Sequence, residues 1–128
     1  MTVFFVCAGL IGLLAAGLTI NVGRVRNAKK IFIGDGGDKE MLAAIRTQGN
    51  LIELAPLCLF LIYLLHGPYG NRTVAVLSIV LVVARLVHAG GMLGHIGFGR
   101  AAGAIATTAI LAVASILLAL VGLGIKLY

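Results

Sequence analysis

The sequence has few charged residues, and acidic ones are scarcest. Of its 128 residues only 11% are charged, with four Asp and Glu against ten Lys and Arg, whereas 61% are hydrophobic. Soluble domains carry about 25% charged residues, so this composition excludes an ordinary soluble domain, and its apolar content excludes intrinsic disorder. The formal net charge is +6, but the basic residues cluster between hydrophobic runs, which argues against a nucleic-acid partner. The composition predicts an integral membrane protein with a single domain.

Cysteine is also scarce, and the other side chains that bind metals or act as nucleophiles are scattered. Cys7 and Cys58 are isolated thiols within apolar runs, so they provide neither a disulfide framework nor the spacing of a zinc site. His88 and His95 lie seven positions apart without an acidic neighbour. No Ser-His-Asp or Cys-His set is present, and we expect no bound metal.

Four apolar runs are each long enough to cross a bilayer, which requires about 20 residues in a helix. The predicted spans are 2–23, 41–65, 73–94 and 101–125. A charged, glycine-rich loop over 30–40 separates the first two spans, and a turn over 66–71 separates the second from the third. Short connections make antiparallel neighbours. The sequence therefore predicts one all-α domain over 1–128, a four-helix up-down bundle.

Basic residues are distributed unevenly between the two ends of this predicted bundle. One end carries Arg24, Arg26, Lys29, Lys30, Lys39 and Arg100. The opposite end has only Arg72 and Lys126. Because cytoplasmic loops are enriched in Lys and Arg, both termini are expected to face away from the cytoplasm. Positive charges follow the first apolar run instead of preceding it, which favours a retained span over a cleaved signal peptide.

The second span contains polar residues that a bilayer tolerates poorly. At about 100° per residue, Arg46, Asn50 and Glu53 fall within one narrow stripe of the helix. Intramembrane charges mark functional sites by default, and structural pairing is the alternative. A stripe that combines a cation, an amide and a carboxylate favours a ligand site.

The third span contains Arg85 and His88 on one face. The positions of Glu53 and Arg85 within their spans place these opposite charges at a similar depth. A buried charge requires a partner, so we predict a Glu53–Arg85 ion pair, with direct contact of either residue to a ligand as the alternative.

Three arginines are expected to lie at a common level near the basic end of the bundle. Arg24 ends the first span, Arg46 begins the second, and Arg100 follows the third. Guanidinium groups bind carboxylates through paired hydrogen bonds, so this arrangement predicts a pocket for an anionic ligand that carries carboxylates. The alternative is that each arginine only anchors its helix at the cytoplasmic face.

These residues resemble the MAPEG family, the membrane-associated proteins of eicosanoid and glutathione metabolism. The segment 46–56, which reads Arg-Thr-Gln-Gly-Asn-Leu-Ile-Glu-Leu-Ala-Pro, is similar to the signature of the family's second helix. The segment 84–100, with Arg85, His88 and Arg100, is similar to its third helix and the connection that follows. The resemblance covers all four spans.

The resemblance implies a homotrimer that binds glutathione, as a co-substrate, between neighbouring subunits. It implies a transferase or peroxidase that conjugates or reduces lipophilic electrophiles and hydroperoxides in detoxification, within the bacterial inner membrane or, in a eukaryote, the endoplasmic reticulum. It assigns Arg100 to stabilising the glutathione thiolate. Residues at glutathione-binding positions are Arg24, Arg46, Asn50, Glu53 and His88. Because Met92 stands where several eicosanoid-forming members have a tyrosine, a specialised eicosanoid synthase is not expected.

Two other functions remain open at the level of the sequence. A small four-helix drug/proton exporter usually depends on a carboxylate within its first helix, and the first span has none. A family member that keeps the fold as a scaffold or binding protein without turnover is the other alternative. The thiol is either glutathione or another low-molecular-weight thiol.

Overall fold

The computed structural model describes residues 1–125 and contains four long α-helices. They are α1 (Thr2–Lys29), α2 (Lys39–Leu64), α3 (His66–Met92) and α4 (Gly99–Gly122). Each is long and apolar enough to cross a membrane. A helix satisfies its backbone hydrogen bonds within its own segment, as the interior of a bilayer requires. The predicted all-α, four-helix fold is confirmed, while Lys126 lies outside the described residues.

The largest differences from the predicted bounds are at the end of α1 and at the start of α3. α1 continues beyond residue 23 to Lys29, so the arginines near its end are helical. The predicted turn over 66–71 consists of a short helical segment that begins at His66, directly after α2, and ends in a kink at Gly70. Pro68 is tolerated there because the first turn of a helix needs no backbone N–H donors. Gly70 absorbs the change of direction with φ 73° and ψ −178°, a backbone conformation that favours glycine.

The middle of the bundle is formed by α2 and α3. α1 contacts both of them, and so does α4. The α1–α2 loop (30–38) and the α3–α4 connection (93–98) lie at the same end, which we call the basic end. Buried apolar side chains run through the interior, from Phe4 at the opposite end to Met41 at the basic end. The polar side chains that are buried among them are Thr47, Ser78, Arg85, His88 and Thr107.

α3 and α4 approach each other so closely that the contact requires glycine. A Cβ atom at Gly103 would lie 2.5 Å from the carbonyl oxygen of Ala84 and 2.5 Å from Cβ of His88. A Cβ atom at Gly91 would collide with the backbone nitrogen of Arg100. Small residues allow helix backbones to meet in this way in membranes. The hairpin thereby fixes the start of α4, and Arg100 with it, against the end of α3.

The α1–α2 loop is held in place by the side chains at its edges. Arg26 donates hydrogen bonds to two loop carbonyl oxygens, at 3.2 and 2.9 Å. Lys29 forms ion pairs of 3.0 Å with both Asp38 and Glu40. These contacts tie the end of α1 to the start of α2 and define the mouth of the bundle at its basic end.

Asp38 caps the N-terminus of α2 and has a titratable contribution to stability. Its carboxylate accepts a hydrogen bond of 2.9 Å from the backbone N–H of Met41 and one of 3.0 Å from Lys29. These two contacts, in that order of size, lower the pKa of Asp38 from its ordinary value of 3.8. A carboxyl group whose pKa is lower in the folded than in the unfolded state stabilises the fold. This stabilisation is complete at pH values above the unfolded-state pKa and is lost as the pH falls through the folded-state pKa. Asp38→Ala should therefore lower the melting temperature at neutral pH and lose its effect in acid.

Thermal melting of the detergent-solubilised protein across pH tests this expectation. The control is Asp35→Ala, because Asp35 lies in the same loop and its side chain accepts a single hydrogen bond within residues 1–125, a long one of 3.4 Å from the backbone N–H of Gly37. The wild-type advantage over Asp38→Ala should shrink below pH 3.8, the ordinary pKa of the carboxyl group. An advantage of constant size from neutral pH to strong acid would contradict the assignment of Asp38.

Candidate functional site

A cleft of about 790 Å³ opens at the basic end, between α2, α3 and the start of α4. We call it the main cleft. It is lined by Lys39, Leu42, Ala43, Arg46, Asn50, His88, Gly91, Met92, Gly97 and Arg100. Three of these side chains are cations, and none of the described lining residues is acidic. The main cleft is therefore suited to an anionic ligand and has room beside it for an apolar molecule.

The floor of the main cleft rests on a buried guanidinium group. Arg85, whose exposed fraction is 1%, donates a hydrogen bond of 2.9 Å from Nη2 to Asn50 Oδ1. Its Nη1 donates to the hydroxyl of Thr107 at 3.4 Å. That hydroxyl in turn donates to the carbonyl oxygen of Gly103, one turn earlier in α4, at 2.8 Å. Arg85 thus connects α3 with α2 and α4 beneath the cleft.

The predicted ion pair between Glu53 and Arg85 is wrong within the subunit. Arg85 binds Asn50 and Thr107 instead, and in the described part of the chain ion pairs form only around Lys29. Glu53 lies exposed on the outer surface of α2. Three residues turn a helix by about 60° short of a full rotation, which is enough for Asn50 to face α3 while Glu53 faces outward. A similar depth in the membrane therefore did not bring the two charges together.

Arg24 lies outside the main cleft, in a neighbouring one. This second cleft, of about 510 Å³, is lined by Arg24, Asn21 and His95 among others. Arg24 donates a hydrogen bond of 3.0 Å to Asn21 Oδ1. Lys39 and Met92 line both clefts, so the two adjoin. The three arginines predicted to share one pocket are therefore divided between two clefts. Arg46 and Arg100 line the main cleft, and Arg24 lines the second.

His88 is buried, with an exposed fraction of 3%, and borders the main cleft. Its Nδ1 atom and the Nε atom of Arg85 are the buried side-chain atoms that have no hydrogen-bond partner within residues 1–125. Both belong to the same face of α3, one turn apart. α3 therefore buries two polar side chains next to the main cleft, among apolar neighbours.

The structure brings together four of the site residues predicted from the sequence: Arg46, Asn50, His88 and Arg100. Two contributors were not predicted. Lys39 enters the main cleft from the first turn of α2, although in the sequence it stands among the charges of a loop. Thr107 supports Arg85 from the middle of a span without charge, where its only sequence signal is a hydroxyl group in an apolar run.

A comparison with protein families identifies the class of membrane protein. The sequence model of the MAPEG family matches residues 4–120 of the chain. The chain belongs to the MAPEG family. The resemblance seen in the second and third helices is thereby confirmed, and the main cleft contains residues from both of these segments.

Curated relatives of this MAPEG protein occur in Escherichia coli. The Inner membrane protein YecN of strain K12 is 35% identical over 83 residues, and the protein of the same name in strain O6:H1 matches equally. The match covers 63% of this chain, and the chain spans about 63% of the length of these relatives. With four apolar helices, these findings make the chain a multi-pass integral membrane protein.

Proposed function

We propose that this MAPEG protein is a glutathione-dependent transferase or peroxidase that acts on lipophilic electrophiles and hydroperoxides. The observation that carries the proposal is the composition of the main cleft, where Lys39, Arg46 and Arg100 meet Asn50 and His88. Glutathione offers two carboxylates and a thiol to such a cluster of donors. Membership of a family that includes glutathione transferases supports the same ligand.

Arg100 is the residue proposed to stabilise the thiolate. A thiol such as that of cysteine ionises near pH 8.5, and a close cation lowers its pKa by stabilising the anion. The thiolate sulfur then attacks the electrophile and displaces its leaving group. With a hydroperoxide, the sulfur takes the terminal oxygen, the O–O bond breaks and an alcohol leaves after protonation. A second glutathione reduces the resulting sulfenic acid, which yields glutathione disulfide and water.

The apolar part of the main cleft suits the second substrate. Leu42, Ala43 and Met92 line it beside the cations. Arg100 is exposed at the start of α4, where we expect the hydrocarbon layer to meet water. An electrophile dissolved in the membrane would meet the thiolate there without crossing the bundle.

Arg46 is proposed to hold a carboxylate of glutathione in the ground state and the transition state alike. Arg46→Ala should therefore raise the KM for glutathione about tenfold and change kcat little, the signature of uniform binding. Steady-state turnover of 1-chloro-2,4-dinitrobenzene at varied glutathione measures both constants. The control is Arg72→Ala, an exposed arginine at the opposite end of the bundle, which should change neither. A fall in kcat at unchanged KM would contradict the role of Arg46.

Calorimetric titration of the detergent-purified protein with glutathione tests the proposal as a whole. Saturable binding with one site per subunit is expected. Absence of binding would overturn the proposal and would favour a scaffold or a transporter that has the MAPEG fold. Binding of a different low-molecular-weight thiol in place of glutathione would keep the chemistry and change the co-substrate.

We also propose that the protein is a homotrimer with glutathione bound between subunits. Glu53 lies in the middle of α2, is exposed on the subunit surface, and has the exposed apolar side chains of Ile52, Leu57 and Phe60 nearby along the helix. A carboxylate in contact with hydrocarbon is costly, so a second copy is the favoured neighbour. Native mass spectrometry in a mild detergent should give the mass of three subunits. A monomer as the main species would count against the trimer.

The membrane proposed for this protein is the bacterial inner membrane, with both termini away from the cytoplasm. The relatives are named inner membrane proteins, and the excess of Lys and Arg lies at the basic end of the bundle. An alkaline phosphatase fused to the C-terminus should be active in cells. An inactive fusion, with an active one in the α1–α2 loop, would reverse the orientation.

A further inference from the structure

We propose that Arg85 is a positioning residue, which turns the amide of Asn50 so that its NH2 group faces the ligand in the main cleft. Arg85 does not line the cleft, whereas Asn50 does. The inference rests on the proposed function of the main cleft as a site for an anionic peptide thiol. It implies that the main cleft prefers ligands that offer hydrogen-bond acceptors, which the shape of the cleft alone does not show.

The orientation of the Asn50 amide follows from the chemistry of its neighbour. An amide has an oxygen that accepts and an NH2 group that donates, whereas a guanidinium group only donates. Arg85 Nη2 lies 2.9 Å from Asn50 Oδ1. A flipped amide would place donor against donor, so the oxygen is held by Arg85. The NH2 group of Asn50 is then left to donate on the side of the cleft.

Arg85 is itself fixed from α4. The hydroxyl of Thr107 donates its hydrogen to the carbonyl oxygen of Gly103 at 2.8 Å. Its lone pairs are therefore available to Arg85 Nη1, at 3.4 Å. Arg85 donates in both directions, to Thr107 and to Asn50, and no carboxylate within the described chain forms an ion pair with it. Two hydrogen bonds therefore fix the direction of the guanidinium group, without an acidic partner among the described residues.

The main cleft thus presents hydrogen-bond donors almost exclusively. The side chains of Lys39, Arg46 and Arg100 can only donate, and Arg85 makes Asn50 a donor as well. Among the described lining residues, His88 is the only one with a polar side chain that can also accept. A ligand that offers acceptors at several points, such as the carboxylates and carbonyl groups of a peptide thiol, matches this arrangement. A ligand that needs to donate does not.

Asn50→Asp separates this role from a merely structural one. If Asn50 only satisfies the buried Arg85, an aspartate should serve equally well or better, because it keeps the shape and adds an opposite charge. If Asn50 donates to the ligand, the aspartate oxygen repels it. Affinity for glutathione in calorimetric titration should then fall at least about 30-fold, which corresponds to the loss of a charge-assisted hydrogen bond, while the melting temperature is kept. The KM for glutathione should rise with kcat largely retained.

Asn27→Asp is the matched control. Asn27 is exposed near the end of α1 and lines neither cleft, so the same change of charge near the basic end should leave affinity within about twofold. Equal losses in both variants would show that net charge, and not the amide of Asn50, is responsible. That result would overturn the inference.

A double-mutant cycle tests whether Arg85 acts through Asn50. Arg85→Met should weaken glutathione binding in the wild type but should add nothing in an Asn50→Ala background. Additive losses would overturn the inference. Thr107→Val removes the support of Arg85 with little change in volume and remains informative if Arg85→Met fails to fold. It should lower affinity, whereas Thr108→Val, at the exposed neighbouring position, should not.

The outcomes distinguish this inference from the proposed function. If the wild-type protein binds no glutathione, the proposed function falls and the inference with it. If the wild type binds glutathione and Asn50→Asp binds it as tightly, the proposed function stands and the role of Arg85 is refuted.

Discussion

Replacing Arg100 with alanine is expected to lower kcat for glutathione conjugation about 100-fold, the scale of losing a preorganised group that stabilises developing charge. The affinity for glutathione should change much less, because other cations in the main cleft remain. We expect kcat to fall because the thiol of bound glutathione loses its nearest proposed cation. The pKa of that thiol then rises, and less thiolate is present at neutral pH. Ultraviolet absorbance of the bound thiolate across pH reports the pKa, and turnover of 1-chloro-2,4-dinitrobenzene reports kcat.

Arg100→Lys is the comparison for this variant, since it keeps the charge and loses the planar, forked donor. It should restore much of the thiolate titration and part of the turnover. A protein with Arg100→Ala that retains the wild-type titration and turnover would leave Arg100 as an anchor at the membrane boundary only. The catalytic assignment would then be refuted without touching the assignment of Arg46.

Gly91→Ala is expected to destabilise the protein on the order of 3 kcal/mol or more, at the upper end of overpacking effects. The added Cβ would collide with the backbone at Gly99 and Arg100, and backbone atoms at a helix start cannot move aside as a flexible side chain can. Thermal melting in detergent should show the loss, and kcat should fall with it because Arg100 is displaced.

Gly9→Ala is the matched control, since a Cβ atom there would meet nothing within 4 Å. Alanine at this site in α1 should leave the melting temperature unchanged or raise it slightly, because alanine favours helix over glycine by about 1 kcal/mol. If Gly91→Ala melts like Gly9→Ala, α3 and α4 are not in the close contact described here.

The four helices were predictable because a chain that crosses a bilayer must satisfy its backbone hydrogen bonds internally. An uncharged or nearly uncharged run of sufficient length forms a helix that satisfies its own backbone. The segment 66–71 was predicted as a turn because glycine and proline favour turns in general. In this chain Pro68 occupies a first helical turn and Gly70 provides the backbone angle for the kink, so the chain changes direction here after one turn of helix.

The candidate site was predictable only in part, for a geometric reason. Helical periodicity shows which residues share a face, and it placed Arg46 and Asn50 together correctly. It does not show which neighbouring helix that face meets. Arg85 was therefore assigned to Glu53 when its partners are Asn50 and Thr107. A threonine whose hydroxyl also bonds its own helix leaves almost no trace in a hydropathy pattern.

Arg85 also makes the order of synthesis matter for this protein. Its two partners are on helices made at different times, Asn50 on α2 before it and Thr107 on α4 after it. An arginine within a membrane-spanning helix opposes insertion from the translocon, with a penalty of about 2.5 to 3.5 kcal/mol at the helix centre. While α4 is still on the ribosome, α3 has only one of the two hydrogen-bond partners that offset this penalty. We therefore expect α3 and α4 to enter the lipid most readily as a pair, joined at their glycine contacts.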